Sequence, residues 1–461
     1  MAHSNTFTLP GAYFGWGDLV KTMLSGQKFD LLEYGQNVSD TYGGFTKNTI
    51  AAFTLYLITD PEVAREILIE KNDQFVKDPI MKRTFVPFAG NGVLTSEGDF
   101  WKRQHKLIQP AFHHKRIMSY AETMVEHTLA HMKSWKEGET RQMDRDLMGM
   151  TLTIVNKTLL DADVSEETER IGEMVNKILE AANAGLNAIV AAPKWMPTPT
   201  RLHQKRIVAE FDMLIQRIID ERRKSGEDKG DLLSMLLQAR DDDGQSMSDE
   251  QLLDEVRTLI LAGHETTAST LTFAMYLLAA HPDVKERLQH ELDTVLEGRA
   301  PTLADLPKLT YTDQIIKETL RLYPAAPGVT RAPIAPTEVG GAMIPAGATL
   351  QISIYAMHRS ARYWENPHEF DPERFTPENE KRIPKGAYLP FSAGPRVCIG
   401  NQFALMEARL ILATIVGKFD FELPANYQFK AEQLLTLRAK GGLPMVVRER
   451  HVVKEMQAVG D

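Results

Sequence analysis

Apolar and polar positions repeat along this chain in two rhythms, and the two rhythms divide it. Near the N-terminal end, Thr49–Ile58 is rich in β-branched and aromatic residues and stops at Asp60-Pro61, which predicts a strand. A short helix is expected over Pro61–Lys71. Helical spacing then takes over in Trp101–Pro110, Lys115–Trp135, Ser165–Ala182 and Leu202–Lys224, the last with Ile207, Phe211, Leu214 and Ile218 on one stripe. Between them, residues 181–200 are Ala-rich, then carry Pro193, Pro197 and Pro199, and read as a loop or short interfacial helices. The strongest helical signal follows Gly244. Ser248 with Gln251 three residues later forms a capping-box pattern, and apolar spacing continues to His281, where Pro282 stops it. Roughly 30 residues give about 50 Å at 1.5 Å per residue, and the second half is apolar enough to cross a protein interior. Past Pro324 the pattern turns to short alternating segments, Glu338–Ile344 and Ala348–Ala356, which read as hairpins. A last long helix is expected from Cys398 to Lys418, with strands at Phe419–Phe421 and within Leu434–Val447. The fold class is mainly α with small β-sheets. With no internal repeat and no long linker, residues 1–461 form a single domain.

Composition narrows the classes. Hydrophobic residues at 43% and charged residues at 25% are globular proportions, which excludes disorder and fibrous folds. A net charge of −9 disfavours a wholesale nucleic-acid binder. One cysteine excludes an intrachain disulfide framework and a Cys-rich metal site. Met1–Asp40 has no basic region before an apolar run, and no window reaches the roughly 18 apolar residues of a membrane span. A soluble, cytoplasmic protein without a transmembrane anchor is the expectation.

Four motifs carry chemistry. In Phe391-Ser-Ala-Gly394-Pro-Arg396-Val-Cys398-Ile-Gly400, a loop places the lone thiol before a helix. A helix N-terminus favours thiolate, flanking glycines permit close approach of something flat, and Arg396 can meet an anion. The plain alternative is one more small buried hydrophobe. In Ala262-Gly263-His264-Glu265-Thr266-Thr267, glycine and threonines sit mid-helix, where glycine costs roughly 1 kcal/mol against alanine. A Thr hydroxyl there can bond toward the i−4 carbonyl, and the alternative is a solvent-facing turn. Ala268 stands where a zinc protease would need its second histidine. Glu318 and Arg321 face each other at i, i+3, with Arg374 further on; alone, this is an ordinary pair. Trp101 and His105 share a helix face.

Jointly and in this order, the four motifs resemble the cytochrome P-450 family, the haem-thiolate monooxygenases, from about Leu9 to Val447. The overall likeness is to bacterial fatty-acid-hydroxylase haem domains, here without a fused flavin reductase. The resemblance implies the P-450 fold, with the long helix over haem b, and Cys398 as the iron ligand. Phe391 would pack near the sulfur. Arg396, Trp101, His105 and Arg331 would serve the propionates, while Gly400, Ala262 and Gly263 would lie against the cofactor. Relatives often carry Arg where His105 stands. Thr266 and Glu265 would form a proton relay as the catalytic pair. Glu318, Arg321 and Arg374 would be structural.

The implied reaction inserts one atom of O₂ into an apolar substrate by hydroxylation or epoxidation, in the fatty-acid, terpenoid or steroid class. Electrons come from NAD(P)H through a separate partner. Positions matched to the family's pocket are Val93, Leu94, Ala262, Ala326, Gly328, Val329 and Leu435, all of which also suit plain core. Residues 181–199 are read as a mobile roof that could instead touch a membrane surface. Lys102, Arg103, Lys106, His113, His114, Lys115 and Arg116 concentrate positive charge, which fits an acidic ferredoxin or flavodoxin or an ordinary solvated face. A peroxide-driven or isomerising haem-thiolate enzyme and a non-catalytic haem sensor are the rival readings.

Overall fold

The computed structural model describes residues 9–15, 30–50, 53–161, 170–175, 177, 178, 181 and 198–450. Most of residues 181–199, read as the roof, lie outside the described residues. The helices that build the site are α1 (Pro79–Ala89), α2 (Gly98–Ile108), α3 (Ala121–Met132), α4 (Met143–Leu160), α5 (Pro199–Ser225), α6 (Asp249–Ala280), α7 (Pro282–Leu296), α8 (Thr310–Leu322) and α9 (Asn401–Lys418). The strands are β1 (Tyr13–Phe14), β2 (Phe45–Ile50), β3 (Phe53–Ile58), β4 (Phe75–Val76), β5 (Thr140–Gln142), β6 (Val329–Pro333), β7 (Thr337–Val339), β8 (Ala342–Ile344), β9 (Thr349–Ile352), β10 (Phe419–Glu422), β11 (Ala431–Gln433), β12 (Leu437–Ala439) and β13 (Pro444–Glu449).

Helix α6 organises the molecule. Its capping box forms as expected, the Ser248 hydroxyl accepting from the Gln251 N–H while the Gln251 side chain accepts from the Ser248 N–H. It runs 32 residues and ends at His281. Twenty of these residues are buried, and α4, α8 and α9 pack around it. Helix α4 was not anticipated, because it is buried on more than one side and so carries no clear apolar stripe. Its Thr151 and Thr158 hydroxyls turn back to the Leu147 and Ile154 carbonyls at 3.0 and 2.8 Å, which lets polar side chains sit in a helix–helix interface.

The β structure differs from expectation in two places. Thr49–Ile58 is not one strand but the end of β2 and the whole of β3, which pair antiparallel with Phe45 opposite Ile58. The strand begins upstream of Thr49, at Phe45, and its buried positions Thr46 and Asn48 are polar, so it reads weakly. Ala348–Ala356, expected as a hairpin, does not form one. β9 inserts into a six-stranded sheet of order β1-β2-β3-β9-β6-β4, and Ser353 then caps a helical turn, Ile354–Met357. Glu338–Ile344 does form the β7–β8 hairpin. β13 lies between β10 and β5. Phe429, just before β11, ties the β11–β12 hairpin to α6, with Tyr276 at 3.7 Å and Phe273 at 5.9 Å between ring centroids, while Phe273 also stacks on Tyr323 at the end of α8 at 4.5 Å. No helix among the described residues is long and apolar enough to cross a membrane.

Candidate functional site

The cysteine loop is built from its backbone. Gly394 has φ of +72°, and a Cβ there would meet the Leu68 carbonyl oxygen at 2.0 Å, so only glycine lets the loop lie on that segment. The Cys398 N–H donates to the Phe391 carbonyl at 3.0 Å and closes the loop. Cys398 keeps open surface, which removes the reading of a sealed core residue. The helix-dipole expectation is corrected: α9 begins only at Asn401, and desolvation pushes the thiol pKa up against the pull of the Gly400 N–H. A cation at the sulfur is what would hold it as thiolate.

Behind the loop lies a group of cations. The Arg396 guanidinium stacks over Trp101 at 3.7 Å, donates to the Ser96 carbonyl at 3.0 Å and pairs with Glu97. His105 also packs against Trp101, with ring centroids 5.1 Å apart, and burial first, then Arg396, lowers its pKa. Arg331 is buried, and that burial lowers its pKa despite Glu97 and Asp78. Lys77, not anticipated from the sequence, belongs here too. It is 8% exposed, its Nζ donates to the Ser96 carbonyl at 3.3 Å, and burial with Arg396 nearby drives its pKa down to about 7. Arg396 itself falls to about 10 for the same reason. Among the described residues, Glu97 is the carboxylate bonded directly into this group, accepting from the Lys77 backbone N–H at 2.6 Å as well. Buried cations in excess of carboxylates need an anionic ligand.

On α6, Thr266 donates to the Ala262 carbonyl at 2.8 Å. Ala262 is exposed and Thr266 partly so, an open strip at i and i+4 on a helix otherwise buried. Gly263 turns elsewhere. A Cβ on it would lie 3.2 Å from Val155 Cγ2, so its small size admits α4 and not a flat ligand. His264 also faces inward, its Nδ1 3.0 Å from the Ile260 carbonyl and its backbone carbonyl accepting from Thr151. Glu265 is 2% exposed, and its carboxylate accepts from the Thr436 hydroxyl at 2.6 Å and Arg438 Nε at 2.8 Å. The pair fastens the β11–β12 turn, with Leu435, to α6. Glu407, on α9, is fully buried, and that burial pushes its carboxyl up to about 8, opposed only by the Thr267 hydroxyl.

The Glu318–Arg321 pair is bidentate and fully buried, at 2.6 and 2.7 Å. Arg321 also donates to the carbonyls of His358, Pro367 and Glu369. Arg374 stands 3.4 Å from Glu318 and donates to the Asn366 carbonyl. His358 completes the set. Its Nε2 accepts from the Leu389 N–H at 2.8 Å, which leaves Nδ1 to donate to the Arg321 carbonyl, and burial keeps the ring neutral by lowering its pKa to about 3. Leu389 lies two residues before Phe391, so the network holds the entry to the cysteine loop.

Among the pocket candidates, Val93 and Leu435 border one apolar cluster together with Leu261 and Ile399, the neighbours of Ala262 and Cys398. The Leu437 N–H donates to the Ala325 carbonyl at 2.9 Å, which brings the Leu435 turn beside Ala326. Leu94 is half-buried and Ala326 exposed. Val329 pairs with Ile352 across β6 and β9. Gly328 packs on β9, where a Cβ would meet the Gln351 side chain at 2.3 Å, so it belongs to the sheet and not to a pocket wall. The basic patch is partly self-neutralised, by Lys102–Asp99 at 2.9 Å, Arg103–Asp241 at 2.6 Å and Lys106–Asp242 at 2.5 Å. Arg116 points at Met235. His113, His114 and Lys115 remain exposed, without an ion pair among the described residues, one step past Phe112, whose ring faces Gly400.

Comparisons agree with this geometry. The family model for Cytochrome P450 matches residues 19–443. The chain is 36% identical over 414 residues to a cyclooctat-9-en-7-ol 5-monooxygenase of Streptomyces melanosporofaciens, covering 89% of each chain. It is 33% identical to a pentalenene oxygenase of Streptomyces avermitilis over 86% of this chain and 88% of that one. Among solved structures, the cytochrome P450DA heme domain superposes with a TM-score of 0.83 at 29% identity, covering 91% and 92% of the two chains. Cysteine loop, buried cations and near-complete coverage converge on one conclusion: this chain belongs to the cytochrome P450 family, as one of its monooxygenases.

Proposed function

We propose that the chain inserts one oxygen atom from O₂ into an uncharged, apolar, ring-bearing substrate of terpenoid type. Electrons originate in NAD(P)H and reach it from a separate acidic ferredoxin or flavodoxin. The residues fit haem b. Cys398 would hold the iron, and Lys77, Trp101, His105, Arg331 and Arg396 would hold the propionates, the anions that this buried positive group lacks. When bound, the haem supplies the activation of O₂, with thiolate sulfur donating electron density to its iron.

The chain's own residues handle protons and substrate. Thr266 spends its hydroxyl proton on the Ala262 carbonyl and leaves its oxygen lone pairs toward the open strip, where it can accept and pass on a proton. Glu265 is the carboxylate nearest in sequence, and the Arg438–Thr436 tie decides when its oxygens can join the relay. Glu407 keeps its proton near neutral pH beside Thr267 and stands behind them as a reserve.

One observation carries the substrate class. The cations near the loop converge on Trp101 and Glu97, while Val93, Leu94, Ala326, Val329 and Leu435 bring no charge to the substrate side. The named relatives act on cyclooctat-9-en-7-ol and on pentalenene, and this chain shares their length and about a third of their residues. An ionised carboxylate would enter such a pocket without a partner. Spectral titration of the haem-loaded protein should give Kd values at least about tenfold lower for neutral polycyclic terpenes than for fatty acids of equal carbon number. Equal or tighter fatty-acid binding overturns the class. Cys398→Ser should remove the shifted carbon-monoxide band of the reduced protein altogether.

A further inference from the structure

The wall that carries Val93 and Leu94 is held by the opposite helix. Between α1 and α2, residues 90–95 cross the first half of α6, and two adjacent acids reach up to take their backbone. The Asn91 N–H donates to Asp254 Oδ2 at 2.7 Å, and the Val93 N–H donates to Glu255 Oε2 at 2.8 Å. The Thr258 hydroxyl, one turn further on, donates to the Ala89 carbonyl at 2.9 Å. The approach is so close that a Cβ on Gly92 would lie 2.4 Å from Thr258 Oγ1 and 3.1 Å from Glu255 Oε2. Only glycine lets the loop settle on this surface. Asp254 is held in turn by Arg257, which also donates to Asp212 on α5 at 2.7 Å. Loop, α6 and α5 therefore meet at one polar corner.

Glu255 is the unusual member. It is 1% exposed, and its second oxygen, Oε1, has no hydrogen-bond partner among the described residues. A carboxyl buried at this cost for a single backbone N–H is poorly explained as a stability device. Within the loop itself, the Thr95 hydroxyl bonds to the Gly90 carbonyl, and Thr95 and Ser96 N–H groups bond to that of Gly92; these shape the turn without fixing its distance from α6.

We propose that Glu255 is a positioning residue for substrate selection: by holding the Val93 N–H it fixes how far the Val93–Leu94 wall stands from α6, and so which apolar shapes enter. Burial first, with the neighbouring Asp254, pushes its carboxyl up to about 8 against the pull of the Val93 N–H and of Lys77, so it keeps its proton near neutral pH and an amide of the same shape can replace it. The inference rests on the reading of Val93 as pocket wall, and the experiment separates the two.

The test compares haem-loaded wild type with Glu255→Ala, Glu255→Gln and Val93→Phe. In the absence of substrate, Glu255→Ala should raise amide exchange of residues 91–95 by about tenfold or more, and Glu255→Gln should stay within about threefold of wild type. For a panel of small and large neutral terpenes, Glu255→Ala should flatten the ratio of Kd values across the panel and broaden the products, while Glu255→Gln keeps both. Unchanged exchange in Glu255→Ala, or equal loss in Ala and Gln variants, overturns the proposal. If Val93→Phe leaves every Kd unchanged while Glu255→Ala still loosens the loop, the pocket reading fails and the clamp survives only as architecture. Should Glu255→Ala not load haem, Asp254→Asn with exchange read at Asn91 alone decides whether these acids hold the loop.

Discussion

A buried carboxyl states its own pH dependence. Glu407 has no exposure and an ordinary value near 4.5 that burial moves up to about 8. Its folded pKa thus lies above its unfolded one, so the folded chain binds the proton more tightly. The associated stability is fully present below about pH 4.5 and is lost as pH rises toward 8. Glu407→Gln keeps the shape of the neutral acid and cannot ionise. Urea unfolding of the haem-loaded variant should show a flatter stability profile between pH 5 and 8, with an advantage over wild type above pH 8 on the order of a few kcal/mol. An identical slope in both proteins would mean that Glu407 ionises freely in the fold. Legibility at this scale follows chain separation. Cys398, Glu318–Arg321 and Thr266 announce themselves because their partners lie within a few residues. Lys77, Glu255 and Glu407 look like solvated charges, because what buries them comes from far away, 162 residues in the Val93–Glu255 bond and 299 in the Glu97–Arg396 pair that sits over Lys77.

At the scale of elements, a glycine that looks like a cofactor groove is a helix contact. Gly263 costs α6 roughly 1 kcal/mol of helix propensity, and Val155 is what it accommodates. Gly263→Ala regains the propensity while pressing its Cβ to 3.2 Å from Val155 Cγ2, and the two effects should nearly cancel, within about 1 kcal/mol. Gly263→Leu has no such room and should destabilise by about 1–3 kcal/mol or more, with Val155→Ala restoring part of the loss. A haem-contact role predicts the reverse pattern, with unfolding unchanged, the absorption band shifted and no rescue by Val155→Ala. The same scale shows why α6 was readable and α4 was not. A capping box and a terminal proline are local signals, whereas a helix buried between neighbours has no polar face to mark its phase. The strands failed at their boundaries for a related reason, since β2 buries the polar residues Thr46 and Asn48 and one of the two neighbours of β9 is β3, 294 residues away in register, Leu55 with Thr349.

For the whole molecule, the question is how an acidic chain would receive the acidic donor proposed for it. A net charge of −9 repels such a partner at distance, so docking depends on local positive charge that is not already cancelled. Asp241 and Asp242 sit on the connection before α6 and neutralise Arg103 and Lys106, and Asp99 does the same to Lys102. Paired charges contribute little beyond a Debye length of about 8 Å at physiological salt. What remains beside the cysteine loop is His113, His114 and Lys115, next to Phe112 at Gly400. Two opposite substitutions test this. Lys115→Glu should slow first-electron reduction by an acidic donor roughly two- to fivefold at low ionic strength, and Asp242→Asn, by releasing Lys106, should speed it by a similar factor. Stopped-flow reduction under carbon monoxide reads both rates, and high salt should bring all three proteins together. If Asp242→Asn slows reduction, the loop of acids is part of the docking surface and the donor that fits this face is basic; if neither change moves the rate, electrons enter elsewhere.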